Sequence, residues 1–249
     1  MALTQTVETG HRKPFLVAVQ KPLEDQGGLQ VLRNHPLLST LSDKDLQHLI
    51  QQSRRLRLDN HQLLYRQDTP AHHFFFLITG RMRLYRLDYS GIDRTLDSII
   101  PGDCFAEVMI YADPPSYACY AEALKTSEVL MIPVKAYQDL IESNPDYARA
   151  ALRHYAKRAV SRFQDLEIMT VQNARERLIR YLIDLLPDGT KEGGEVELPL
   201  PKCLVASRLA MQPETFSRIL AELKASGLVR VNRSRVFISD PQRLVRISQ

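Results

Sequence analysis

Apolar positions divide the chain into stretches of different period. Between Leu29 and Ser53 they recur every three or four residues, with Leu46, Leu49 and Ile50 on one face. This predicts two short helices, the second capped within Ser42-Asp43-Lys44-Asp45. From Arg54 to Pro133 short β-rich runs take over: Leu63 to Tyr65, Phe74 to Thr79, Met82 to Leu87, Thr95 to Ile100, Tyr117 to Leu124 and Val129 to Ile132. Turn residues separate them at Thr79-Gly80, Ser90-Gly91, Pro101-Gly102-Asp103 and Asp113-Pro114-Pro115. Many short, closely spaced strands predict a jelly-roll type of β-roll, a shape that often encloses a small ligand. A long helix follows, opened by Asn144-Pro145-Asp146 with proline at its first position. Leu152, Tyr155 or Ala156, Ala159, Phe163, Leu166 and Thr170 form one stripe along it, which reads as a dimerisation seam or as a face laid on the roll. Asn173 and Glu176 can open the next helix as a capping box, and Pro187-Asp188-Gly189 ends it.

A chain of 249 residues suits two domains. The expected divisions are an arm without period over 1–28, a sensory roll over 29–143, a dimerisation helix with hinge over 144–172 and a DNA-binding domain over 173–249. The fold class is α+β. No apolar run has the length of a membrane helix, and the first residues lack a signal layout, so no membrane association and a cytoplasmic location are expected. Cys104, Cys119 and Cys203 are spaced for reduced, buried thiols rather than a disulfide framework.

Charge adds one fact. Residues 202–249 hold nine Lys/Arg against three Asp/Glu, a net of +6, whereas the remainder holds 24 against 26. A positive field at one end is what a phosphate-binding surface produces, although a solvated basic face has the same composition.

That end also carries chemistry. Residues Lys202 to Leu220 fit a helix-turn-helix: small Ala206 inside the first helix, apolar Val205, Leu209, Met211, Phe216 and Ile219 at the crossing, and Pro213 opening the second helix. Ala210 stands at the turn where glycine is common. Gln212, Glu214, Thr215, Ser217 and Arg218 are expected on the exposed face. An arginine there can grip guanine in bidentate fashion, and a glutamate can accept from cytosine. Leu228 to Val231 and Arg235 to Ile238 predict a hairpin around Asn232-Arg233-Ser234, a wing that brings Arg233 to phosphates. Together they predict a winged helix-turn-helix that binds double-stranded DNA. A winged helix used for protein contact is the alternative.

With these parts in order, the chain resembles the Crp/Fnr family of bacterial regulators over roughly residues 30 to 240. Gln212 to Arg218, QPETFSR, is similar to the recognition helix of the Fnr-type branch, in which Glu, Ser and Arg read TTGAT half-sites. Glu214, Ser217 and Arg218 match those positions, and Pro213 replaces the arginine found there in Crp itself. The resemblance implies a cyclic-nucleotide-binding-type β-roll, a homodimer on inverted repeats and RNA polymerase as a further partner. Leu152, Ala159, Phe163 and Leu166 would form the dimer seam.

The resemblance also frames the ligand. In cAMP-binding members a Glu contacts the ribose and an Arg ten residues later pairs the cyclic phosphate. Here Glu107 is kept, but Tyr117 and Ala118 stand where Arg and Ser are usual. A buried anion without a cation is costly, so cAMP is not expected and Phe105, Glu107 and Tyr117 line a pocket of another kind. No cysteine precedes Cys104, so four thiolates for an iron–sulfur cluster cannot be assembled. The texture of Phe74 to Ile78, Phe105 to Glu107, Tyr117-Ala118 and QPETFSR looks like the Dnr-like branch, which implies haem and nitric oxide sensing. His35 matches a histidine of that branch, and His154 on the long helix is the second candidate ligand; a capping or surface role is the alternative for each. Glu176 stands where some Dnr-like proteins carry a histidine.

A ligand-switched transcription factor is the reading these features support. A cyclic-nucleotide module for a kinase or channel is the second, opposed by the wing and the missing arginine. An enzyme is the third, for which no phosphate loop, metal triad or nucleophile motif is present.

Overall fold

The computed structural model describes residues 18–20, 26–88, 91–171, 173–187 and 193–246, and side chains within 30–88, 91–163, 173–187 and 193–246. The expected turn at Asp188-Gly189, Ser90 and the side chains of Leu166 and Thr170 lie outside these residues. The chain divides into two compact units, one ending at Met82 and resuming over Ile99–Leu140, the other made of Arg83–Ser98 and the chain from Ile141 on.

In the first unit, helices α1 (Gln26–Arg33) and α2 (Asp43–Gln52) precede the strands. Ser42 caps α2 by accepting from the Asp45 amide, and Leu46, Leu49 and Ile50 are buried. Strands β1 (Ala18–Gln20), β2 (Arg54–Leu58), β3 (Leu63–Tyr65), β4 (His73–Leu87), β5 (Asp93–Ile99), β6 (Cys104–Phe105) and β7 (Tyr120–Pro133) form one sheet in the order β1-β2-β7-β4-β5, with β3 on β7 and β6 on β4; the end of β4 from Arg83 and β5 up to Ser98 are counted with the second unit. A 3-10 turn spans Glu107–Tyr111, and α3 covers Val134–Ser143. Leu58, Phe74, Phe76 and Tyr137 are fully buried, and the Tyr137 hydroxyl donates to the Leu37 carbonyl at 2.6 Å.

Several strand boundaries differ from the sequence pattern. β4 runs unbroken through Gly80, where a turn was expected. Gly80 has φ 100°, and a Cβ there would collide with Ser127; lacking one, the backbone bends beside β7 without ending the strand, and the Arg81 amide donates to Ser127 Oγ at 3.0 Å. Strand β7 likewise continues through Lys125-Thr126-Ser127-Glu128. This polar stretch stays in the sheet because it pairs with β2, Leu58 opposite Ser127 and Arg57 opposite Glu128, while Arg55 forms an ion pair with Glu128. The same pairing explains why Arg-Arg-Leu-Arg-Leu, too charged to suggest a strand, is β2. The expected arm without period contains β1, whose residues pair with Arg55, Leu56 and Arg57. Tyr117 precedes β7, exchanging backbone bonds with Asp68 and Thr69.

In the second unit, α4 (Pro145–Val171) carries Leu152 and Phe163, which are 67% and 70% exposed, with Ala159 exposed between them. Asn173 and Glu176 form the capping box of α5 (Ala174–Asp184). Strand β8 (Gly194–Glu197), helices α6 (Lys202–Arg208) and α7 (Pro213–Ala225), strands β9 (Val229–Asn232) and β10 (Arg235–Ile238) and helix α8 (Pro241–Arg246) complete it, with sheet order β8-β10-β9. Leu178, Leu182, Val205, Leu223, Val236, Ile238 and Leu244 make its core. Of the three cysteines expected to be buried, Cys203 is exposed, because the first turn of α6 presents it outward while Val205 and Ala206 take the inner face.

Candidate nucleic-acid interface and sensor interior

Helix α7 separates its residues by face. Phe216, Ile219, Leu220 and Leu223 are buried, whereas Gln212, Glu214, Ser217 and Arg218 are exposed. Thr215, expected to be exposed, is half-buried beside them. Glu214, Ser217 and Arg218 stand at i, i+3 and i+4 and therefore share one face. Arg218 bonds Glu222 at 2.8 Å, not Glu214.

The turn before α7 shows why an alanine can replace glycine there. Ala210 takes φ 50°, a left-handed conformation that costs an L-residue about 1–2 kcal/mol. Arg177 on α5 offsets it: its Nε donates to the Leu209 carbonyl at 2.8 Å and its Nη2 to the Ala210 carbonyl at 3.2 Å. These carbonyls would otherwise be left over at the end of α6. The wing pairs Arg235 with Asn232 and Phe237 with Arg230. Arg233 is exposed at its tip with φ 52°, and the Arg230 guanidinium lies 4.4 Å from the Phe237 ring centre.

Within the same unit, strand β5 bonds to α6. The Thr95 amide donates to Ser207 Oγ at 3.0 Å, and that hydroxyl donates to the Asp93 carbonyl at 3.4 Å. Asp97 accepts from Arg208 at 2.9 Å and pairs with Arg162 of α4. Burial pushes the Asp97 carboxyl up, but the two guanidiniums and hydrogen bonds from Arg162 and the Ser98 amide outweigh it and hold it below the usual carboxylate range. Residues 97 and 208 are too far apart in sequence for any local pattern to have linked them.

The roll interior is aromatic. Tyr117 stacks on Tyr65 with ring centres 3.9 Å apart and planes 13° from parallel; Phe75 lies 5.4 Å from both Tyr65 and Phe105. Phe105, Glu107 and Tyr117 are all buried. The Tyr117 hydroxyl donates to the His73 carbonyl at 2.9 Å, and burial raises its phenol to about 12. The Tyr65 phenol is also raised, first by burial and then by the neighbouring Cys119, Tyr117 and Glu107. Sequence reasoning missed Tyr65 and Cys119, although Tyr65 stands at the end of a recognisable strand. At the position where cAMP-binding members place a cation, this chain has a stacked, neutral phenol.

The two haem candidates belong to different units, His35 to the first and His154 to the second. His35 is 7% exposed, and the Leu37 amide donates to its Nδ1 at 3.3 Å. An accepting Nδ1 leaves the proton of the neutral ring on Nε2, the wrong tautomer for binding iron through that atom. The ring meets Phe76 edge-on at 6.4 Å, which suits a core histidine. His154 is half-buried against Tyr155. Glu176 is committed to the Asn173 cap. Among the described residues no group of three or more His, Cys, Asp or Glu could hold a metal ion, and no helix is long and apolar enough to cross a membrane.

Comparison with known proteins agrees with this arrangement. Residues 55–144 match the cyclic nucleotide-binding domain family and residues 176–247 the Crp-like helix-turn-helix domain family. The transcriptional activator protein Anr of Pseudomonas aeruginosa is 23% identical over 209 residues, 82% of this chain and 84% of that protein. The solved sensor domain of the transcriptional regulator DNR from Pseudomonas aeruginosa is 33% identical, covering 54% of this chain and 90% of that one with a TM-score of 0.51. FixK2 from Bradyrhizobium japonicum, 21% identical, shares the fold at a TM-score of 0.68 over 79% of this chain and 98% of its own. With a β-roll, a long helix and a winged helix-turn-helix in that order, and with relatives that are regulators rather than enzymes, the chain belongs to the Crp/Fnr family of DNA-binding transcription regulators, on its Dnr-like side.

Proposed function

We propose that this regulator acts as a homodimer on inverted repeats of TTGAT-like half-sites. Glu214, Ser217 and Arg218 read base edges, Gln212 and Thr215 support them, and Arg233 of the wing meets phosphates. The observation that carries this reading is the division of α7 into a buried apolar face and an exposed face bearing Glu214, Ser217 and Arg218. The exposed stripe of Leu152, Ala159 and Phe163 on α4 supports a second copy as its cover, since an apolar row of this kind on a long helix is a usual dimer seam. A DNA partner supports a cytoplasmic location, with RNA polymerase as the further partner of an active regulator.

The roll is the sensor in this reading, and its signal is a small molecule. A cyclic nucleotide has no cation at Tyr117 to pair its phosphate. For haem, the Leu37 amide donating to Nδ1 speaks against His35 as the ligand.

The test is binding of the purified protein to a TTGAT inverted repeat and to a scrambled duplex at fixed salt. Arg218→Ala should lose discrimination by about 5- to 150-fold for each half-site, as expected for one bidentate contact per subunit, while the dimer stays intact by sedimentation. Discrimination equal to the wild type would refute the base-reading role.

A further inference from the structure

Arg218 shares its partner. Glu222, one turn further along α7, accepts from Arg218 Nη1 through Oε1 at 2.8 Å, and its other oxygen lies 3.4 Å from Nη1 of Arg175 in the first turn of α5. One carboxylate thus joins a guanidinium on the reading face to one on a different helix. The side chains of Arg175, Glu222 and Arg218 are 37%, 41% and 66% exposed, so each pair contributes little to folding.

Their consequence is geometric and electrostatic. An arginine reads guanine only when its fork is presented in one orientation. The same charge, unattended, binds any phosphate and adds to sequence-independent affinity. A carboxylate anchored from a second helix acts on both. It aims the fork, and it neutralises the charge until a base edge offers two acceptors.

We propose that Glu222 is a specificity-determining positioning residue: held by Arg175, it orients the Arg218 guanidinium and withholds it from the phosphates of DNA that lacks the site. The inference rests on the reading of Arg218 as a base contact. It gives α5 a direct influence on base reading, through a residue that itself touches no base.

The experiment measures dissociation constants of the full-length protein for a TTGAT inverted repeat and a scrambled duplex across a salt series. The proteins are the wild type, Glu222→Gln, Arg175→Gln, Arg218→Ala and the Arg218→Ala/Glu222→Gln double variant. Glu222→Gln should bind the scrambled duplex more tightly, steepen its salt dependence by about one phosphate contact per subunit, and lower the ratio of the two constants by about tenfold. Arg175→Gln should act in the same direction to a smaller extent, without any change on α7. In the double variant the Glu222 change should have no further effect, because its target is gone. A merely structural role for Glu222 would lower the urea midpoint and leave the ratio and salt slope alone. The proposal is overturned if Glu222→Gln keeps the wild-type ratio and slope while Arg218→Ala loses discrimination. If Arg218→Ala itself keeps discrimination, the base reading fails first and this inference falls with it.

Discussion

Arg208, the last residue of α6, lies 2.9 Å from the carboxylate of Asp97 on β5. The Asp97 carboxyl is held below its ordinary value, which is about 3.9 in an unfolded chain. A depressed folded value means that the stabilisation is complete above the unfolded value and is lost as pH falls through the folded one. Asp97→Asn should therefore lower stability at neutral pH by about 1 kcal/mol, the scale of one charge-assisted bond partly screened by solvent. Urea unfolding of both proteins should show this difference shrinking below about pH 4. A difference that persists unchanged into acid would mean that the carboxylate charge is not what holds α6 to β5.

Arg177 and Ala210 give a paired prediction. Arg177→Ala leaves the Leu209 and Ala210 carbonyls without that donor and should destabilise the protein by about 1–2 kcal/mol. Ala210→Gly should instead raise the urea midpoint, because relief of the left-handed strain exceeds glycine's entropic cost of roughly 0.5–1 kcal/mol. A midpoint lowered by Ala210→Gly would contradict the account of the turn.

Phe163, 70% exposed on α4, tests the dimer. Phe163→Glu should convert the protein to a monomer by sedimentation and weaken binding to an inverted repeat far more than binding to a single half-site. A dimer that survives this substitution would move the interface off the Leu152–Phe163 stripe.

The two stacked phenols should ionise late. Burial pushes the Tyr117 phenol up to about 12, and Tyr65 is raised well above the ordinary value. Their neutral forms are favoured by the fold, so the associated stability is present below the unfolded value of about 10 and is lost as pH rises through the folded one. An ultraviolet titration should show two tyrosines ionising after the exposed ones, together with alkaline unfolding. In Tyr117→Phe the late group should shrink by one.

Haemin titration tests His35. We expect no saturable Soret shift that depends on His35, because its Nδ1 is taken by the Leu37 amide. A stoichiometric band that responds to nitric oxide and is lost in His35→Ala would show that this bond opens and would restore haem as the signal carrier.

Local signals in the sequence carried most of the second unit. Asn173 and Glu176 announce a helix start through bonds to their own neighbours, and Pro213 opens α7 for the same local reason. The apolar positions of the helix-turn-helix repeat at helical spacing, so Val205, Leu209, Phe216 and Ile219 were legible as core. The roll was harder because its boundaries depend on distant partners. Gly80 is needed within its strand because a Cβ there would meet Ser127 of β7, and Arg55 and Glu128 pair across two charged stretches of the sheet. Of the candidate site, Glu214, Ser217 and Arg218 could be found from one heptapeptide. Arg175, Glu222, Asp97 and Arg208 could not, since each gains its meaning from a residue on another element.

The Asn173–Glu176 capping box has a practical consequence. Because α5 begins through bonds made among its own first residues, a fragment cut at Asn173 keeps its start signal. It also keeps α5 to α8, the three-stranded sheet and a core from Leu178 to Leu244, and gives up the β5 bonds to Ser207 and Arg208. Such a fragment is a portable reading head. Grafted onto an unrelated dimeric scaffold, it should carry the half-site preference of α7 with it, with half-site spacing then set by the scaffold.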